Sequence, residues 1–211
     1  MGTVIIRGGS RGIRAKQLRC RWMFAMSAPS RSSVLRWSKL WHRSWGQNRL
    51  DGLVNNAGYG LYNPIEAVTE SQLEGLMNVH LKGPFFLTQT FLPLLRDGAS
   101  IVNVTSATTR VATAGVALYA TFKGGLEVLT RYMAKEFGER RIRVNAVSPG
   151  PIRTELSGGL TAEFEAVLVS QTALGRVGEP EEVTRVIASL LTGDGGWINA
   201  QSIEVAGGYI I

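Results

Sequence analysis

Ile101-Val102-Asn103-Val104-Thr105-Ser106 is an apolar run ending on a hydroxyl, and thirteen residues after that serine comes Tyr119-Ala120-Thr121-Phe122-Lys123. The first stretch predicts a strand over 100–104, the second a helix over 117–138. A tyrosine and a lysine at i and i+4 on a helix project from one face, a turn apart. An ammonium beside a phenol favours the phenolate and lowers the tyrosine pKa, so the phenol can serve as a general acid or base near neutral pH. Ser106, delivered from a strand end, can hold a carbonyl or alcohol oxygen beside it. That trio suits moving a proton to or from an alcohol oxygen while a cofactor moves a hydride. By themselves, Tyr and Lys four apart on a helix more often mean a half-buried aromatic and a solvated cation; the flanking sequence decides between the two.

Outward from this stretch, strands and helices alternate. Thr3–Ile6 reads as a first strand with Gly8-Gly9-Ser10-Arg11-Gly12 as the turn after it. Leu50–Asn55 reads as a buried strand running into Asn56-Ala57-Gly58. Residues 70–95 form a long helical stretch in which Pro84 and Pro93 mark irregularities or the end. A strand follows over 142–147, a loop and short helix over 157–170, and a last strand over 202–205. Glu179-Pro180-Glu181-Glu182 opens a helix running to about Leu191, with its proline early and acids in the first turn. Alternating strands and helices imply an α/β fold, a Rossmann-like doubly wound parallel sheet with helices on both faces. The 211 residues form one domain, without repeats, large enough for a substantial core.

Composition narrows the function classes. One cysteine, Cys20, excludes an internal disulfide. The sequence has no 18-residue apolar run, so a transmembrane helix is not expected, and the strand-like start does not resemble a secretory signal; cytoplasm is the default. With only His42 and His80 as histidines and no cysteine cluster, no metal site is expected. The net charge of +7 points at first sight to nucleic acid. Its location argues otherwise: residues 14–49 hold nine Lys/Arg and no Asp or Glu, leaving 14 basic against 16 acidic residues elsewhere. An ordinary, slightly acidic domain surrounds one basic segment, and neither nucleic acid nor membrane is expected as a partner.

Residues 14–49 also contain four of the five tryptophans (Trp22, Trp37, Trp41 and Trp45) and show no sustained alternation or helical period. The abrupt change at Arg14 and the recovery near Leu50 suggest a shifted reading frame or a rearrangement. A basic, tryptophan-bearing patch and a poorly ordered insert are the alternatives.

Leu53-Val54-Asn55-Asn56-Ala57-Gly58, Ser106, Tyr119-x-x-x-Lys123 and Pro149-Gly150-Pro151-Ile152-Arg153-Thr154 occur in the order and spacing of the short-chain dehydrogenase/reductase family. Over residues 2–13 and about 50–211 the chain resembles that family, and Gly175–Val183 resembles its 3-oxoacyl-acyl-carrier-protein reductase-like members. The resemblance implies an NAD(P)-dependent oxidoreductase interconverting a carbonyl and an alcohol on a small molecule. Tyr119 would then be the general acid/base, Ser106 would orient the substrate oxygen, and Lys123 would tune the phenol and hold the nicotinamide ribose. His80 stands where the family has an asparagine and could hold a proton-relay water. Gly8, Ser10, Arg11, Gly12 and Ile13 would form the dinucleotide turn. Asn56, Ala57 and Gly58 would line the adenosine and ribose side; Pro149, Gly150, Ile152 and Thr154 would flank the nicotinamide. Arg11 suits a 2′-phosphate, so NADP(H) is expected over NAD(H). Residues 155–172 would form the substrate lid, with Leu156, Leu160, Phe164, Val167 and Leu168 making it partly apolar, and a homodimer or homotetramer is implied. Arg7 and Arg14 depart from the family's glycine-turn pattern, at its threonine and its last glycine. A non-catalytic relic or oligomeric scaffold with a damaged dinucleotide site is therefore the alternative.

Overall fold

In a computed structural model of the chain, the backbone is described for residues 4–9 and 12–17, and backbone with side chains for residues 49–155 and 158–211. Most of the segment 14–49 lies outside the described residues, as do Ser10, Arg11 and Leu156. The strands are β1 (Val4–Gly9), β2 (Gly12–Gln17), β3 (Leu50–Asn55), β4 (Leu95–Val104), β5 (Arg143–Pro149) and β6 (Ser202–Val205). They form one sheet in the order β2-β1-β3-β4-β5-β6. The run from β3 to β6 is parallel, pairing Val54 with Val102, Val102 with Asn145, and Val147 with Ile203.

The central strands are apolar almost throughout because both faces are covered, as in other helix-flanked parallel sheets. The helices are α1 (Glu70–Met77), α2 (Gly83–Phe91), α3 (Ala117–Glu136), α4 (Ala162–Ser170) and α5 (Pro180–Leu191). On one face, Leu87 and Phe91 of α2 and Met133 and Ala134 of α3 pack on Leu53, Ile101 and Val144. On the other, Val183 and Leu190 of α5 pack on Val54, Val102 and Val147. Each such fully buried aliphatic side chain contributes about 1.5–3 kcal/mol relative to exposure. A buried polar chain crosses the first face. The Asn55 amide donates to Asn103 Oδ1 (2.8 Å) and Thr88 Oγ1 (3.2 Å), and Asn103 donates to Thr130 Oγ1 (2.9 Å). It ties β3 and β4 to α2 and to α3, the helix that carries Tyr119 and Lys123.

The long helix expected over 70–95 is interrupted. Asn78–Lys82 is a π-helical turn between α1 and α2, and a 3₁₀ turn at Leu92–Leu94 ends the stretch. Pro84 lacks the N–H that would continue the α pattern. Gly83 donates instead to Asn78 O, five residues back. A Cβ on Gly83 would stand 2.9 Å from that oxygen, so the glycine permits the widened turn. Such insertions recur at functional sites, and this one carries His80.

The amino-terminal reading needs correction. No helix follows the glycine turn: Gly12–Gln17 folds back as β2, pairing Gly9 with Gly12 and Val4 with Gln17. Glycines at 9 and 12 bracket a two-residue connection, the length that closes a hairpin, and no helical periodicity follows it. β1 also runs antiparallel to β3, with Val4 opposite Val54, Ile5 opposite Leu53 and Ile6 opposite Gly52. Its glycine end therefore points toward the amino end of β3. Gly8, Gly12 and Ile13, expected beside Asn56–Gly58, lie toward the opposite edge of the sheet.

Candidate active site

Parallel strands end together, and at the carboxyl ends of β3, β4 and β5 the chain leaves the sheet to form a cleft of about 300 Å³. Nine of the residues singled out in the sequence line it: Asn56 and Gly58 after β3, Ser106 after β4, Tyr119 and Lys123 on α3, and Pro149, Gly150, Ile152 and Thr154 at and after β5. A cleft at the carboxyl edge is where open α/β sheets bind ligands.

Ser106 caps a 3₁₀ turn over Ala107–Thr109, and its Oγ accepts from the Thr108 amide (3.3 Å) and hydroxyl (3.0 Å). With its own proton still available, it hydrogen-bonds the Tyr119 phenol. Tyr119 sits in the first turn of α3, and Lys123, one turn on, places Nζ 5.6 Å from the tyrosine ring centroid. The ammonium donates to Val104 O at 2.7 Å. Strand end and helix start are thus joined by two side-chain bonds, which fixes the three groups relative to one another.

Burial governs the titration of the site. It pushes the Tyr119 phenol above its ordinary value, with the Ser106 bond pulling the other way. It lowers Lys123 to about 8. The expected net depression of the phenol does not occur: a phenolate loses more solvation in the cleft wall than the Ser106 bond returns. Tyr119 is held protonated at neutral pH, a proton donor in waiting.

His80 does not line the cleft but stands behind its wall. Only 1% exposed, it packs edge-on to Tyr119 at a centroid distance of 5.1 Å. Nε2 lies 2.8 Å from Tyr59 O. A carbonyl can only accept, so Nε2 carries the proton and Nδ1 is left as an acceptor, buried and without a partner among the described residues. Burial foremost, then the Lys123 charge, lowers His80 to about 4, against a small opposing effect of the Tyr59 bond. The ring is neutral across the physiological range. It also explains Gly58, where a Cβ would meet His80 Cε1 at 2.8 Å. Ala57 is not among the lining residues.

The sequence reading missed the fourth wall. Pro180, Val183, Thr184 and Ile187 of α5 face the cleft. Their spacing, one helical face at i, i+3, i+4 and i+7, was the available signal. Conversely, α4 of the expected lid contributes no lining residue. Leu168 packs with Ala107, Val111, Val177 and Tyr209, while Phe164 and Val167 stay half exposed. Arg153 forks onto Glu165 of α4 at 2.6 and 2.8 Å and reaches Glu179 at 3.2 Å.

The donor set suits one end of a nicotinamide dinucleotide. A carboxamide and ribose hydroxyls need both donors and acceptors, and Lys123, Tyr119, Asn56, Thr154 and the Pro149–Ile152 backbone supply them around one cleft. A diphosphate needs converging donors. Among the described lining residues Lys123 is the one cation, and one of its three N–H donors goes to Val104 O. Among the described residues no three potential metal ligands cluster, and no helix is long and apolar enough to cross a membrane.

A family model described as enoyl-(acyl carrier protein) reductase matches residues 14–210. An uncharacterized oxidoreductase of Methylorubrum extorquens is 39% identical over 163 residues, covering 76% of this chain and 66% of its own length. A 3-oxoacyl-[acyl-carrier-protein] reductase of Thermotoga maritima is 39% identical over 166 residues, covering 77% and 67%. The chain thus spans about two thirds of the length of these relatives. Among solved structures, an angucycline C-6 ketoreductase with bound NADP superposes with a TM-score of 0.80 at 33% identity, over 84% of this chain and 69% of that one. A blue fluorescent protein from a metagenomic library, in complex with NADPH, gives 0.78 at 31% identity, over 88% and 74%.

Proposed function

The chain belongs to the short-chain dehydrogenase/reductase family, and from that premise we propose that it is an NAD(P)-dependent oxidoreductase that reduces the carbonyl of a small molecule to an alcohol. The observation that carries this is the Tyr119 phenol, hydrogen-bonded to Ser106 with Lys123 Nζ 5.6 Å from its ring, at the mouth of one cleft.

The residues divide the work as follows. Ser106 donates to the substrate carbonyl oxygen and fixes it beside Tyr119 Oη. The nicotinamide supplies the hydride to the carbonyl carbon when bound. Charge developing on the oxygen is met by the two hydroxyl donors, and Tyr119 passes its proton to that oxygen. The phenolate then left faces the Lys123 ammonium, whose field favours it at that moment more than in the resting site. Proton transfer of this kind contributes about 10²–10⁴ in rate. His80 acts as a positioning residue: it holds the Gly58–Tyr59 segment through Nε2 and backs the Tyr119 ring edge-on. Lys123, Asn56 and Thr154 would hold the nicotinamide and its ribose. The NADP and NADPH bound to two similar structures make NADP(H) the form to offer before NAD(H).

The test is consumption of NADPH and then NADH against a panel of aromatic and aliphatic ketones. A saturable rate that disappears in Tyr119→Phe supports the reading; an equal rate in the variant refutes the assignment. One observation favours a second reading. The β1–β2 hairpin occupies the place of a strand–turn–helix unit, as in a non-catalytic relic or oligomeric scaffold. A folded chain that binds no nicotinamide compound would be that relic.

A further inference from the structure

The bonds around Ser106 decide which way its proton points. A serine hydroxyl has one proton to give and two lone pairs to receive with. Thr108 fills both lone pairs: its amide donates to Ser106 Oγ at 3.3 Å, and its hydroxyl donates to the same oxygen at 3.0 Å. What Ser106 has left is its proton. Its bond to the Tyr119 phenol therefore runs from serine to tyrosine, and the tyrosine keeps its own proton for another partner. A donor on the phenol oxygen favours the phenolate, and the Ser106 bond does act on Tyr119 in that sense, against burial.

Thr108 is firmly placed. It is the middle residue of the 3₁₀ turn Ala107–Thr109. On one side, Thr109 Oγ1 bridges Ser106 O and Glu127 of α3, each at 2.9 Å. On the other, Arg110 forks onto Glu204 of β6 at 2.7 and 2.8 Å and donates to the carbonyls of Tyr209 and Ile210, both at 2.7 Å. Ala107 is buried in the cluster that holds Val111 and Tyr209. A β-branched threonine has few χ1 rotamers, which keeps its hydroxyl on Ser106. Capping of the turn accounts for the amide bond; it does not account for the hydroxyl aimed at the same oxygen. Thr108 is not among the residues that line the cleft, so it acts on the reaction through Ser106.

We infer that Thr108 is a positioning residue for the reduction: by occupying Ser106 as an acceptor it orders the hydroxyls in one direction, Thr108 to Ser106 to Tyr119, and leaves the phenol proton free for the substrate oxygen. The inference rests on the reductase reading above. When a carbonyl arrives, Ser106 turns its proton from Tyr119 Oη to the carbonyl oxygen, again as a donor. The Tyr119 proton then moves to that oxygen, and Thr108 and Ser106 keep theirs. Without the Thr108 hydroxyl a lone pair of Ser106 is released. Tyr119 can then donate to it, and the phenol proton is diverted from the substrate.

The test compares two variants in nicotinamide-dependent reduction of a ketone that the parent turns over. Thr108→Val keeps the shape and the amide but not the hydroxyl; Thr108→Ser keeps the hydroxyl. In Thr108→Val kcat should fall by about three- to tenfold, the weight of one hydrogen bond, with the KM for the nicotinamide unchanged, and Thr108→Ser should stay within about twofold of the parent. A valine variant as fast as the parent, or a serine variant as slow as the valine one, overturns the inference while leaving the reductase reading intact. A loss confined to the KM for the nicotinamide does the same. If circular dichroism shows the valine variant unfolded, Thr108→Ala is compared with Thr108→Ser on the same terms. A folded parent that reduces no ketone overturns both.

Discussion

At the scale of single residues, the site depends on which proton sits where. Tyr119 is held protonated by burial and aimed by Ser106, so Tyr119→Phe removes the transferable proton while keeping the ring that His80 packs against. Turnover should fall by about 10²–10⁴ with the unfolding transition left in place. A variant that turns over normally would mean another group supplies the proton. His80 gives a stability test. Its folded value of about 4 lies below the ordinary 6.5, so between those values the unfolded chain binds more protons. Stability is full above pH 6.5 and is lost as pH falls toward 4, by at most about 3 kcal/mol. In His80→Asn the urea midpoint should change less between pH 7 and pH 5 than in the parent; an equal change would assign the acid sensitivity elsewhere. The sequence showed that position 80 departs from the family but not this burial, because burial depends on the π-helical turn and on Gly58, which meets it from the loop after β3.

At the scale of elements, legibility followed periodicity. β3 and β6 lie where the sequence placed them, and α3 and α5 came within two residues, because long apolar runs and helical spacing read alike in any context. The β1–β2 hairpin was not legible: a glycine-rich turn after a strand serves a hairpin as well as a nucleotide loop, and only the pairing partner decides. The lid was half legible. Its apolar residues promised a cover over the cleft, yet Leu168 takes α4 to the cluster beside Tyr209, and Arg153 fixes it there through Glu165. Arg153 sits between Ile152 and Thr154, both of which line the cleft, so the fork couples α4 to the cleft wall. Glu165→Gln should raise the hydrogen-exchange rate of amides 162–170 severalfold, not by orders of magnitude, since exposed ion pairs contribute little unless bidentate or networked. Unchanged exchange would leave the helix held by Leu168 alone.

At the scale of the whole molecule, two of the exposed apolar side chains share one face of α3. Val128 and Tyr132 stand one turn apart on the outer face of α3, 45% and 65% exposed. The inner face of the same helix carries Lys123, Leu126 and Met133, so α3 is apolar on two sides while only one has a partner among the described residues. A helix apolar beyond one stripe is a candidate for burial by association. A helix face paired with its own copy about a two-fold axis gives the commonest closed assembly, a dimer, and a second such contact gives a tetramer. The chain should therefore sediment as a dimer or tetramer. Tyr132→Glu, which places a charge at the centre of the patch, should give a smaller species that keeps its helical circular dichroism. Tyr132 is remote from the cleft lining, so nicotinamide binding in that smaller species would show whether the site needs the assembly. A parent chain that sediments as a monomer at every concentration would instead leave α3's outer face as ordinary solvent-exposed surface.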